Sequence, residues 1–190
     1  MENASLYVGF TVAFLSAIGL VATKRWHGKF TLDHTAGVQK FHRVPTPRVG
    51  GIAIMAALAA AWFVAEGELS SLLGRLLVAG LPAFCFGLAE DLTKKVSVRT
   101  RLFATMGSGV CAWVLTSASI IHTGIPGLDH ALSLMAVSVL FTAFAVGGVA
   151  NAVNIIDGFN GLASGTVAIC LIALGMIAYG CGDLRFTKLH

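Results

Sequence analysis

Apolar runs of about twenty residues recur along this chain, separated by short polar loops, and that alternation restricts what it can fold into. At 1.5 Å of rise per residue, such a run as a helix crosses a hydrocarbon core of roughly 30 Å. Lipid offers no hydrogen bonds, so a spanning backbone must satisfy its own polar groups, and a helix does this within one segment. Composition agrees. Of 190 residues, 56% are hydrophobic and 12% charged, about half the charged share of a typical soluble domain. Mean hydropathy is +0.83. The expectation is an all-α polytopic membrane helix bundle with six transmembrane helices, one membrane domain over residues 1–190.

The six predicted helices are Ser5–Thr23, Val49–Ala65, Leu72–Leu88, Leu102–Ile121, Ala131–Ala150 and Leu162–Tyr179. The first is too long for a cleaved signal peptide and shows no small-residue cleavage site. Glu66 to Ser71 reads as a short acidic turn, and Arg75 as a side chain that snorkels to the interface. The loops Lys24–Arg48 and Glu90–Arg101 hold six and four of the thirteen Lys and Arg residues. By the positive-inside rule both loops are cytoplasmic and the N-terminus lies outside. The turn after the fifth helix then falls on the cytoplasmic side as well. Cys85, Cys111, Cys170 and Cys181 are scattered and form no CxxC pair, so they read as small apolar fillers. The basic residues sit in juxtamembrane loops, which argues against a nucleic-acid partner and for the lipid bilayer.

Three polar stretches interrupt this apolar pattern. Asn151 to Gly165 carries three asparagines and Asp157 between two apolar runs. It reads as two helix ends meeting, with Gly158 ending one helix and Asn160 capping the next. A plain polar turn is the competing explanation. Gly161-x-x-x-Gly165 is also a small-residue spacing suited to helix packing. Phe41 to Gly51 contains Pro45 and Pro47, which force an extended approach, and His42, Arg43 and Arg48, which suit a phosphate-bearing ligand. An anchor to anionic headgroups explains the same charges. In Gly87 to Lys95, Glu90 and Asp91 fall at the C-terminal end of a helix, where carboxylates are disfavoured by the helix dipole. Mg²⁺ would resolve the conflict, and so would Lys94 and Lys95 as i,i+4 partners at about 0.2–0.5 kcal/mol each. Arg99 and Arg101 are further phosphate-binding candidates.

The patterns His42-x-x-Pro-Thr-Pro-Arg-x-Gly-Gly51, Gly87-Leu-Ala-Glu-Asp91 and Asn151-x-x-Asn-x-x-Asp-Gly-x-x-Gly-Leu162 together resemble, in order and spacing, the polyprenyl-phosphate sugar-1-phosphate transferases. The Pro-Thr-Pro-Arg form is more similar to the bacterial N-acetylhexosamine-1-phosphate branch than to the muramoyl-pentapeptide branch. The resemblance implies that undecaprenyl phosphate attacks the β-phosphorus of a UDP-N-acetylhexosamine, giving a lipid-linked pyrophosphoryl sugar and UMP. Mg²⁺, or Mn²⁺ in its place, would neutralise the diphosphate. It implies catalytic roles for Glu90, Asp91 and Asp157, with Asp91 orienting or deprotonating the lipid phosphate. It places the metal at Asn154 and Asp157. Substrate contacts fall to His42, Arg48, Lys94, Lys95, Arg99, Arg101, Asn160 and Gly161. It admits a homodimer.

Two departures stand out. Glu90 occupies a position that is usually Asp. The chain also ends before a Met-Gly-Asp segment and a later basic or histidine-rich loop found in ten- or eleven-helix relatives, so it is expected to be the N-terminal portion of such a transferase. His122, His130 and His190 do not substitute for that loop, because all three fall outside the cytoplasmic face. The alternative is a short non-catalytic relative that binds polyprenyl phosphate or a partner membrane protein. A six-helix transporter is disfavoured by the near absence of ionisable residues in mid-membrane.

Overall fold

A computed structural model describes residues 2–26, 49–157 and 161–180 of the chain. The described residues form helices and turns without strands. The helices are α1 (Glu2–Ala22), α2 (Gly50–Val64), α3 (Gly67–Thr93), α4 (Val98–Thr116), α5 (Pro126–Leu132), α6 (Met135–Ile156) and α7 (Leu162–Gly180). Each of the six predicted helices has a counterpart. Four of them, α1, α3, α6 and α7, are long and apolar enough to cross a membrane. The other two fall short for different reasons. Helix α2 is apolar but only 15 residues long, or about 22 Å. Helix α4 has 19 residues but opens with Arg99 and Arg101.

The helices pack in an antiparallel series: α1 on α2, α2 on α3, α3 on α4, α4 on α6 and α6 on α7, with α5 against α6. Gly9 of α1 faces Ala57 and Ala61 of α2, so the start of one helix lies beside the end of the next. One end of the bundle therefore gathers the C-terminal turns of α3 and α6 and the N-terminal turns of α2, α4 and α7. Among the described residues most of the buried ones are small, Ala53, Ala57, Ala79, Ala143 and Ala163 with Ser5, Ser108 and Ser138, and only Val49 and Leu132 are larger. Large side chains such as Phe10, Phe144, Ile169 and Met176 point outward. That inversion of a soluble protein is what a bundle bathed in hydrocarbon requires, since close backbone approach, not burial of large apolar groups, holds the helices together.

The tightest approach is between α4 and α6. A Cβ added to Gly109 would lie 2.9 Å from the Ala143 Cα, and one added to Gly147 would lie 2.6 Å from the Met106 Cγ. The packing glycines are thus these two and not the Gly161–Gly165 pair. Gly161 has φ +77° and forms the turn into α7, and nothing lies within 4 Å of a Cβ placed on Gly165. At the other end of the bundle Gly74 makes room for the Trp62 indole, 3.0 Å from where a Cβ would sit.

Several boundaries differ from expectation. Residues 67–71 are the first turn of α3 and not a loop, because Gly67 at φ +59° completes the reversal after α2 and Glu68 suits the positive end of a helix. Arg75 is consequently two turns into α3. Helix α4 begins four residues early, capped by Ser97, whose Oγ accepts from the Thr100 N–H at 3.1 Å. It also ends early, at Ser117, whose φ is +57°. The following segment lies on α6. Thr142 Oγ1 accepts from the Ile120 N–H at 2.8 Å, and the Ser138 hydroxyl lies 2.8 Å from the Ile120 carbonyl and 2.7 Å from Ser119 Oγ. The expected fifth helix is two helices. Pro126 starts α5, and α6 continues to Ile156, so Asn151 and Asn154 belong to the helix and not to the turn after it.

Candidate active site

The gathered end of the bundle contains an open cleft of about 180 Å³, lined among others by Gly87, Glu90, Asp91, Arg101, Thr105, Asn151 and Asn154. Three helices supply these groups, and each does so through helical spacing. On α3, Ala83, Gly87 and Glu90 or Asp91 follow one another at three- and four-residue steps. Arg101 and Thr105 are four apart on α4. Ala150, Asn151 and Asn154 are within one turn of each other on α6.

The connection between α3 and α4 sets the geometry. Lys94 adopts a left-handed conformation, φ 55°, and its N–H donates to the Glu90 carbonyl at 2.7 Å. This terminates α3 and satisfies one of its last carbonyls. Only four residues then separate the helices, so the carboxylates near the end of α3 face the first turns of α4. Arg101 Nη1 donates to Glu90 Oε2 at 3.2 Å and to Asn154 Oδ1 at 3.5 Å. The side chains of Arg101 and Glu90 are 20% and 16% exposed, so the pair is neither open to bulk water nor fully desolvated. A cation thus sits against the unfavourable carboxylate end of the α3 dipole.

Beneath the cleft, Pro82 lies inside α3 and lacks an N–H. The next N–H, that of Ala83, donates to the buried Ser108 Oγ of α4 at 3.0 Å. A second cleft, also about 180 Å³, runs between α2 and α3 and is lined by Gly51, Ile52, Ala83, Phe84, Gly87, Leu88 and Asp91. It is mostly apolar. The two clefts share Ala83, Gly87 and Asp91, so Asp91 stands where a cavity lined partly by polar groups meets a greasy groove.

The placement of the sequence candidates is uneven. Glu90, Asp91, Arg101 and Asn154 line one cleft. Asp157 is the C-cap of α6, exposed and one turn beyond Asn154. Lys94, Lys95 and Arg99 are exposed around the same end of the bundle, and Gly161 begins the turn into α7. His42, Arg48 and Asn160 lie outside the described residues. Sequence reasoning overlooked Thr105 and Asn151 as lining groups, although their i+4 and i−3 relations to Arg101 and Asn154 put them on the same helix faces. Among the described residues no three His, Cys, Asp or Glu side chains cluster for a metal. The donor set is two carboxylates with asparagine oxygens, hard ligands of the kind Mg²⁺ accepts. Two of those oxygens already converge on one cationic nitrogen, so they fit a positive ion.

The opposite end of the α4–α6 pair is separated from this cleft by the length of α4, about 28 Å. There His122 Nδ1 lies 2.6 Å from Asp129 Oδ2. Asp129 also accepts from the Thr123 hydroxyl and N–H, both at 2.7 Å, and from the Gly124 N–H at 3.2 Å. The Thr123 hydroxyl bond, with the backbone donors and His122, holds the Asp129 carboxyl below its ordinary value of 3.8 against the opposing effect of desolvation. This cluster organises a turn and is remote from the candidate site.

Comparison with known proteins gives the family. Residues 73–189 match the family described as Glycosyl transferase family 4, and the chain belongs to that family. It is 30% identical over 164 residues to the decaprenyl-phosphate N-acetylglucosaminephosphotransferase of Mycobacterium leprae, covering 76% of this chain and 40% of that protein. It is 26% identical over 188 residues to the undecaprenyl-phosphate alpha-N-acetylglucosaminyl 1-phosphate transferase of Yersinia pestis, covering 98% of this chain and 50% of the relative. It is also 36% identical over 149 residues to the phospho-N-acetylmuramoyl-pentapeptide-transferase of Acaryochloris marina, covering 70% of this chain and 39% of that protein. The chain therefore spans half or less of the length of these relatives. No solved structure matches. The relatives are polyprenyl-phosphate sugar-phosphate transferases, and the apolar helices together with this family mark a multi-pass membrane protein.

Proposed function

We propose that this chain forms part of a membrane enzyme that transfers N-acetylhexosamine 1-phosphate from a UDP-sugar to undecaprenyl phosphate, for cell-envelope polysaccharides such as lipopolysaccharide O-antigen. One observation carries the reading: Asp91 sits at the junction of a cleft that holds charged and amide side chains and a mostly apolar groove. An amphiphilic acceptor with a prenyl tail and a phosphate head needs such a junction, with its tail along Ile52, Phe84 and Leu88 and its head at Asp91.

In this reading a phosphate oxygen of the lipid attacks the β-phosphorus of the UDP-sugar. The new P–O–P bond forms as the α–β bond breaks, and UMP leaves with that electron pair. Asp91 orients the lipid phosphate or takes its proton, and Arg101, with Lys94, Lys95 and Arg99 around the rim, draws the diphosphate in. Asn154 and Asp157, with Glu90 nearby, would hold Mg²⁺ or Mn²⁺. The ion supplies charge neutralisation at the diphosphate, which is most of what phosphoryl transfer asks of a catalyst. His42, Arg48, Asn160 and Gly161 are assigned to substrate contacts by motif alone.

The loop charges favour a bacterial inner membrane setting with this end of the bundle cytoplasmic, the N-terminus outside, and α2 and α4 counted as spans with the other four. A homodimer belongs to the same proposal. The test is UMP release from undecaprenyl phosphate, UDP-N-acetylglucosamine and Mg²⁺ by the purified chain in lipid nanodiscs. Asp91→Asn is expected to lower it more than about a hundredfold. UMP from a longer version only would mark this chain as part of the enzyme; binding of undecaprenyl phosphate with no UMP from either would select a non-catalytic lipid-binding protein instead.

A further inference from the structure

Arg101 is placed in an unusual way for a guanidinium. Arginine ordinarily engages a carboxylate through two parallel N–H donors. Here one nitrogen, Nη1, lies between Glu90 Oε2 at 3.2 Å and Asn154 Oδ1 at 3.5 Å. The two oxygens come from different helices, α3 and α6, and the nitrogen between them comes from a third. That is how oxygens arrange themselves around a compact cation.

We propose that Arg101 is a counter-cation of Glu90, and that it must leave Glu90 and Asn154 before a divalent ion is seated there. The identity of the ion rests on the functional reading above. The exchange itself rests on the contact geometry. A metal–oxygen bond of about 2.1 Å would put the ion in the volume Nη1 now fills, and two cations cannot share those oxygens at that separation. Arg101 is in the first turn of α4, and its long stem allows the head to swing toward the cleft mouth. An incoming diphosphate offers the guanidinium a better partner than a single carboxylate oxygen. Ion and diphosphate should therefore bind with positive coupling, each removing an obstacle to the other. Until that exchange the same contact links α3, α4 and α6 and sets a cation against the carboxylate end of α3.

The test is Mn²⁺ binding without nucleotide, read from the free-ion electron paramagnetic resonance signal, on the 190-residue chain in nanodiscs. Arg101→Gln is expected to bind Mn²⁺ about tenfold more tightly than the unmutated chain, and Arg101→Lys, which keeps a competing charge, to stay within about twofold of it. Unchanged, weaker or undetectable binding by a folded Arg101→Gln overturns the proposal. A readout that needs no uncharged variant is arginine side-chain NMR of the unmutated chain. Mg²⁺ alone is expected to move one Nε–H resonance, that missing from Arg101→Lys, and an unmoved resonance likewise overturns the proposal. The two ideas fail separately. Tighter Mn²⁺ binding with no UMP release from this chain or from a longer version leaves the exchange standing and removes the enzyme; UMP release with unaltered Mn²⁺ affinity does the reverse.

Discussion

Asp129 shows how much a single side chain arranges when its neighbours are chosen for it. Its carboxylate gathers the Thr123 hydroxyl, two backbone N–H groups and His122, and so holds the turn between α4 and α5. Because these bonds favour the charged form, the folded-state pKa lies below the ordinary 3.8. The stabilisation is therefore complete above that ordinary value and is lost as pH falls through the lower folded one. Amide exchange should report it. Protection of the Thr123 and Gly124 N–H groups is expected at neutral pH and lost in strong acid, and Asp129→Asn should remove it at every pH. Glu90 has a different kind of neighbour. It meets Arg101 across a four-residue connection whose turn depends on the left-handed Lys94. The partners expected from i,i+4 spacing, Lys94 and Lys95, are exposed at the rim of the same cleft. The cation that faces the cleft came from the next helix, a relation that local periodicity does not contain.

At the scale of elements, the α4–α6 pair decides how wide the cleft is. Glu90 and Asp91 stand on α3, Arg101 on α4 and Asn154 on α6, so the spacing of α4 and α6 sets the distance between Arg101 and Asn154. Gly109 and Gly147 let the two backbones meet. Gly109→Ala places a methyl 2.9 Å from the Ala143 Cα, where only backbone movement can relieve it. A loss of about 1–3 kcal/mol is expected, seen as a lower midpoint of thermal unfolding in detergent. Gly165→Ala adds a methyl to open space in a helix and should change stability by no more than about 0.5–1 kcal/mol, in the stabilising direction. If the two substitutions behaved alike, helix crowding at Gly109 would not be what holds this pair. The six helix positions were legible because each lies on an apolar run, although α2 and α4 fall short of the length or apolarity of a span. Their ends were less so. Ser117 ends α4 where the apolar pattern continues, since Ser138 and Thr142 of a distant helix offer Ile120 and Ser119 better partners.

At the scale of the molecule, the antiparallel order sends the start of α2, the connection 94–97 and the ends of α3 and α6 to one side. The His122–Asp129 turn goes to the other. Cysteine labelling in sealed vesicles tests this directly, in a background with Cys85, Cys111, Cys170 and Cys181 replaced by alanine. Lys95→Cys is expected to react with an impermeant maleimide only from the cytoplasmic side, and His122→Cys only from the opposite side. Labelling of both from one side would require α4 to lie along the surface instead of crossing.

The amino-acid sequence on its own determined the solvent, the secondary structure and the polar islands. Apolar run length is set by bilayer thickness, and backbone groups in lipid leave a single chain segment little choice but helix. It also carried the motifs Gly87 to Asp91 and Asn151 to Leu162 and the loop charges that orient them. What only the tertiary structure decided is which groups meet: Arg101 between Glu90 and Asn154, Asp91 at the join of two clefts, Gly109 and Gly147 as the true packing glycines. Those pairings depend on helix rotation and spacing, which follow from side chains far apart in the chain making contact, and no local pattern of residues encodes them.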